Sequence, residues 1–139
     1  MSQENVEIVK RIVEAWSAGN FDAARNALDP DITWHDPPQQ PGVITRHGFA
    51  GVEGSFRNWL SAWDDYRYEL GELTDAGEKV LMIGRQHGRG KGSRVEVSSD
   101  LLQVWTLRDG KVVEMRMFMD RAEALQAAGL SDQDAHADS

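Results

Sequence analysis

Trp105-Thr106-Leu107-Arg108-Asp109-Gly110-Lys111-Val112-Val113 is the stretch that decides the fold class. Apolar and polar residues alternate on both sides of Arg108-Asp109-Gly110, and a turn of that composition accommodates positive φ. Two strands, Arg94–Leu107 and Lys111–Met119, therefore meet in a hairpin. Further upstream the period of two continues in Tyr66–Leu73 and Lys79–Gly88. The breaks are Asp75-Ala76-Gly77 and Gly88-Arg89-Gly90-Lys91-Gly92, again with turn chemistry. Four strands with short connections make an antiparallel meander.

Before the meander the period is helical. Val6, Val9, Ile12, Val13 and Trp16 fall on one face of a first helix. Ser2 can cap its start, and Gly19 supplies its stop. Asn20 can cap a shorter second helix through Phe21, Ala24 and Leu28, which Asp29-Pro30 ends. Ile32-Thr33-Trp34-His35-Asp36 is a short strand closed by Pro37-Pro38, because proline cannot donate to a ladder. The stretch from Pro37 to Gly51 reads as a long loop. Val52, Phe56, Trp59, Leu60 and Trp63 form the apolar stripe of a third helix. A last short helix, Arg121–Ala128, stops at Gly129. Residues 1–130 read as one domain, and 131–139 as a polar, acidic tail without structure. Helices followed by a run of strands indicate an α+β fold.

Composition excludes several classes. The 139 residues carry a formal charge of −8 and no cysteine. That charge disfavours a nucleic-acid partner and anionic lipid, which both demand clustered Lys and Arg. Disulfides, thiolate chemistry and Cys-based zinc sites are excluded. The four His have no ligand spacing, so no metal is expected, and no phosphate-binding glycine loop opens a helix. The first five residues lack a signal-peptide pattern and no apolar run is long enough to span a bilayer, so a cytoplasmic location is expected.

Four segments together carry a family resemblance. They are Ala18-Gly19-Asn20-Phe21-Asp22-Ala23, Trp34-His35-Asp36-Pro37, the Trp105–Val113 hairpin, and Asp120-Arg121-Ala122-Glu123-Ala124-Leu125 before Gly129-Leu130. In order and spacing they resemble the nuclear transport factor 2-like superfamily, in its SnoaL-like and ketosteroid-isomerase-like branch. The resemblance implies a cone: a strongly curved, mostly antiparallel sheet wrapped around three N-terminal helices, with a pocket opening between them. It also implies a homodimer through the outer sheet face, where Val104, Thr106, Arg116 and Phe118 alternate outward.

The resemblance assigns Asp36 the place of a general base that moves a proton between carbons, as in ketosteroid isomerase, a standard case of carboxylate tuning. Strand alternation then turns Trp34 toward the pocket and His35 away. A turn-capping role before Pro37-Pro38 is the plainer alternative for Asp36. At the family's oxyanion positions this chain has Ile12, which cannot donate, and Gln103, whose amide can. Arg85 and His87 share parity with Leu81 and Ile83, a face expected to line the cavity; there Arg85 could hold an oxyanion and His87 could shuttle a proton. The alternative leaves both in solvent beside the glycine-rich turn. Trp34, Phe56, Trp59, Trp63, Trp105 and Met117 are the expected apolar contacts of a flat, mostly apolar ligand, or else simply core. No cofactor is implied. Two functions stand side by side: a cofactor-independent isomerase, cyclase or related enzyme with Asp36, Gln103 and Arg85 at its centre, and a non-catalytic small-ligand binder of the same fold.

Overall fold

The computed structural model describes residues 2–35, 45–118 and 120–130. A first helix, α1 (Ser2–Ser17), leads through a 3-10 turn (Asp22–Ala27) into strand β1 (Leu28–His35). β2 (Thr45–His47) and helix α2 (Gly48–Ser61) follow. Then come β3 (Trp63–Ala76), β4 (Lys79–Gly90), β5 (Glu96–Arg108), β6 (Lys111–Phe118) and a closing helix, α3 (Arg121–Ala128). The six strands form one sheet in the order β2-β1-β6-β5-β4-β3. β1 and β6 run parallel, and every other pair is antiparallel. The expected α+β meander is therefore present. At the β5–β6 hairpin Asp109 and Gly110 both take positive φ, 52° and 80°, the mirror-image turn that matches strand twist.

Irregularities curve the sheet. The β3–β4 register shifts between Asp64 and Arg67 and again between Leu70 and Glu72, and the β5–β6 register shifts after Thr106. Each extra residue bends its strand and increases local twist. The bend brings backbones close: a Cβ at Gly71 would stand 2.8 Å from the carbonyl oxygen of Ile83. The concave face packs Val80, Met82, Trp105, Leu107 and Met115 against Val9, Ile12 and Val13 of α1.

The convex face is not bare. Leu81, Leu102, Val104 and Phe118 are buried there beneath Ala124, Leu125 and Ala128 of α3. Asp120 caps α3 by accepting from the Ala122 N–H (3.2 Å), and Gly129 ends it in the left-handed conformation. Val104 and Phe118, expected to meet a partner subunit, are thus covered by the chain's own helix. Thr106 and Arg116 retain solvent access.

Other expectations shift at the ends of elements. The second helix is only a 3-10 turn, and β1 starts at Leu28, running through Asp29-Pro30. Pro30 sits on an irregular edge: β1 pairs with β6 at Leu28 and then only from Thr33. The supposed loop from Pro37 to Gly51 contains β2 and the first turn of α2, with β2 held by pairing of Thr45, Arg46 and His47 to β1. Trp63 opens β3 rather than ending α2. Gly88 and Gly90 lie inside β4, and the positive φ in that connection falls on Arg94, at 60°. The Ser2 side chain, residues 36–44 and the tail 131–139 lie outside the described residues. No helix among the described residues is long and apolar enough to cross a membrane.

The α3 contact is testable. Leu125 is 3% exposed. Leu125→Ala removes its methyl groups from the convex cluster and is expected to destabilise the protein by about 2–5 kcal/mol. Urea unfolding should show a lower midpoint at unchanged slope.

Candidate small-molecule cavity

A cavity of about 520 Å³ opens between α1, α2 and the concave face of the sheet. Its wall is mostly aromatic. Trp16 of α1, Trp34 of β1, Phe56 and Trp59 of α2, Trp105 of β5 and Met117 of β6 all line it. Three of these indoles touch one another: Trp16–Trp34 centroids are 5.7 Å apart, Trp16–Trp105 6.1 Å and Trp34–Trp105 5.9 Å. Phe56 closes on Trp16 at 5.5 Å.

The polar part of the wall comes from α2, with Glu53, Ser55, Arg57 and Asn58, and from β3, β4 and β5. The Tyr66 hydroxyl donates to Gln86 Oε1 (3.0 Å), and Gln86 Nε2 donates to Ser99 Oγ (3.0 Å). The Tyr68 hydroxyl crosses β4 to donate to the Leu101 carbonyl at 3.3 Å. It passes over Gly84, where a Cβ would collide with the tyrosine ring and approach the Glu69 carbonyl to 2.7 Å. Gly84 therefore makes room for Tyr68. Gln103 lines the cavity at 7% exposure, and its Oε1 has no hydrogen-bond partner among the described residues.

Residues 9–115 match the SnoaL-like domain family. The chain belongs to that family. Solved structures agree on the fold. An NTF2-like protein of unknown function from Burkholderia pseudomallei superposes with a TM-score of 0.75 at 21% identity, covering 88% of this chain and 95% of that one. A putative SnoaL-like polyketide cyclase from a Jannaschia species gives 0.75 at 21%, covering 94% of each chain. A putative polyketide cyclase from Sinorhizobium meliloti gives 0.65 at 24%, covering 80% and 93%. No curated protein sequence matches significantly.

In this SnoaL-like domain the candidates read from the sequence divide into four groups. Trp34, Phe56, Trp59, Gln103, Trp105 and Met117 come together on the cavity wall. Trp63 stays behind it, packed on Trp59 at 5.5 Å and lying over Gly88. Arg85 and His87 do not join them. The concave residues of β4 are Met82 and Gln86, so the alternation puts Arg85 and His87 on the convex face. There Arg85 pairs with Asp100 (2.8 Å) and His87 with Glu69 (3.0 Å). The face carrying Leu81 and Ile83 misled because it too is apolar, being the floor under α3. Asp36 lies outside the described residues; Trp34, two positions before it, lines the cavity, and His35 turns away to Glu114 at 3.0 Å. Ile12 is in the core, and α1 presents Val13 and Trp16 to the cavity instead.

Sequence reading passed over Tyr66, Tyr68 and Gln86. Their period-two spacing gave the strands but not the inward face. The available signal was Gly84 between Ile83 and Arg85, since a glycine inside a strand often marks close approach of another group. Burial pushes the pKa of both phenols up; for Tyr68 the neighbouring Tyr66 adds to this, whereas a hydrogen bond from Trp59 offsets part of it at Tyr66.

These are the chain's only tyrosines. In the native state the tyrosinate absorbance band is expected to stay absent as pH passes the ordinary phenol value of about 10. Folded pKa values above the unfolded one mean that the unfolded chain loses protons first. Stability is therefore complete below about pH 10 and falls as pH rises from there toward the folded values. Titration of native and urea-unfolded protein in parallel checks both statements; a native curve coincident with the unfolded one would contradict them.

Proposed function

We propose that this SnoaL-like domain binds a flat, largely apolar, carbonyl-containing small molecule in its aromatic cavity, and that Asp36 acts on it as a general base. The carrying observation is Gln103: an amide at 7% exposure, on the wall of an aromatic cavity, with Oε1 unpartnered among the described residues. Leaving the Oε1 acceptor buried and unpaired costs roughly 1–3 kcal/mol, which a ligand O–H donating to it, such as the enol form of a carbonyl, would offset; the amide N–H on the same side chain can donate to a ligand carbonyl oxygen. A volume of about 520 Å³ suits a ligand of a few fused rings.

In the catalytic reading a C–H next to the carbonyl loses its proton to the Asp36 carboxylate. The electrons move onto the carbonyl oxygen, the Gln103 amide N–H steadies that oxygen, and the proton returns to another atom of the same ligand. Trp34 supports this reading because it lines the cavity two residues before Asp36. A carboxylate beside such a wall loses solvation, which favours its role as a base. The names of two similar solved structures, both putative polyketide cyclases, fit a carbonyl-rich ligand.

One observation favours binding without chemistry. Both tyrosine hydroxyls already donate within the wall, and Ile12 stands in the core, so no phenol is free to steady an oxyanion.

Deuterium exchange into cyclic aryl ketones separates the two. A general base is expected to accelerate exchange, and Asp36→Asn to lower the rate by roughly 10²–10⁴-fold while leaving affinity nearly unchanged. Ketone binding, followed by tryptophan fluorescence, with no exchange in the unaltered protein would establish the binder instead. Gln103→Leu should weaken binding of the ketone but not of the parent hydrocarbon.

A further inference from the structure

On the convex face, away from the cavity, Ser98, His87 and Glu69 stand in line on β5, β4 and β3. Ser98 and His87 are register partners, and the Ser98 Oγ lies 2.8 Å from His87 Nδ1. The other ring nitrogen, Nε2, lies 3.0 Å from Glu69 Oε1. The imidazole is 23% exposed and sits between an exposed hydroxyl and an exposed carboxylate.

We propose that Ser98 is an activated nucleophile, deprotonated by His87 and oriented through Glu69, that accepts acyl groups from activated esters. The carboxylate fixes the tautomer. Nε2–H donates to Glu69, so Nδ1 carries the lone pair and accepts the Ser98 O–H. A hydroxyl in reach of a base that a third group orients is the arrangement nucleophilic catalysis needs. Three strands of one sheet hold the three side chains, so the alignment does not depend on a loop. The neighbouring register positions are cationic: Arg67 is the register partner of His87, and Arg85, two residues before it on the same face, holds Asp100 at 2.8 Å.

The step balances without a redox partner. Ser98 Oγ bonds to the ester carbonyl carbon as its proton passes to His87 Nδ1. The bond from that carbon to the aryl oxygen breaks, and the phenolate leaves and collects the proton. Ser98 is left as an acyl ester. Water deacylates it by the same route, with His87 again taking the proton. The fold contains a built-in comparison: His35 has Glu114 on Nε2 at 3.0 Å, but its hydroxyl, Thr45, is at 3.3 Å from Nδ1. The shorter contact singles out Ser98.

The probe is p-nitrophenyl acetate, with p-nitrophenolate release followed by absorbance and the acetyl group located by peptide mass mapping. Acetyl is expected on Ser98. Ser98→Ala should abolish that adduct, His87→Gln should lower its rate of formation about tenfold or more, and Glu69→Gln should slow it several-fold. Circular dichroism and ketone binding in the cavity check that each variant is folded, and neither should change in Ser98→Ala. Acetyl on Thr45 or on lysines instead, or on Ser98 at equal rates with and without His87, would overturn the proposal.

Discussion

The mutual contact of Trp16, Trp34 and Trp105 ties together three parts of the chain that are remote in sequence. It joins α1, β1 and β5, with all three centroid distances between 5.7 and 6.1 Å. Aromatic pairs of this kind contribute about 0.5–1.5 kcal/mol each beyond their buried area. Their bulk matters as much as their attraction. Three indoles hold α1 at a distance from the curved sheet, and the space beyond them is the cavity. Smaller side chains would allow helix and sheet to close on each other. The indole N–H groups of all three have no hydrogen-bond acceptor among the described residues. Trp34 and Trp105 meet edge-on at 87°, a geometry in which a ring edge is directed to the neighbouring π-face.

Charge is distributed accordingly. The His35–Glu114 and His87–Glu69 contacts and the Arg85–Asp100 and Arg89–Asp65 ion pairs lie on the sheet outside the cavity wall, whereas the Arg57–Glu53 pair of α2 lines the cavity with its guanidinium exposed and its charges matched. The sheet's concave face offers amides, phenols and thioethers. Burying an unpaired charge against that aromatic wall would be far more costly than burying a neutral amide, so the split follows from solvation.

Legibility in the sequence followed the same physics. The α1 stripe, the Asp109-Gly110 turn and the Gly129 stop were readable because each is a local signal: a period, a positive φ, a left-handed cap. Six wall residues were readable from aromatic content and the resemblance together. Facing on β4 was not. Leu81, Ile83, Arg85 and His87 alternate correctly but occupy the convex side, and alternation gives two faces without naming the inner one. The decision comes from α3, a helix far later in the chain, which covers Leu81 and makes the outer face apolar as well. The same cover buries Val104 and Phe118 within this chain. β2 escaped notice because three residues are too few to show a period.

Gly84 connects the backbone to the chemistry of the wall. The bulge at Gly71 lets β3 cross close to β4, and the missing side chain at Gly84 lets the Tyr68 ring lie across that strand to reach Leu101. One consequence is mechanical, since a ring laid over the strand fills the concave bend that the bulge creates. The other is chemical. Tyr68 commits its proton to a backbone carbonyl and Tyr66 commits its own to Gln86, whereas no described residue satisfies Gln103 Oε1. The unmet polar demand of the described wall therefore rests on the Gln103 Oε1 acceptor and on the indole N–H donors of Trp16, Trp34 and Trp105. A fold shared at about 20% identity with proteins of different names cannot specify that point by its topology. It is specified by which side chains the bend leaves without a partner.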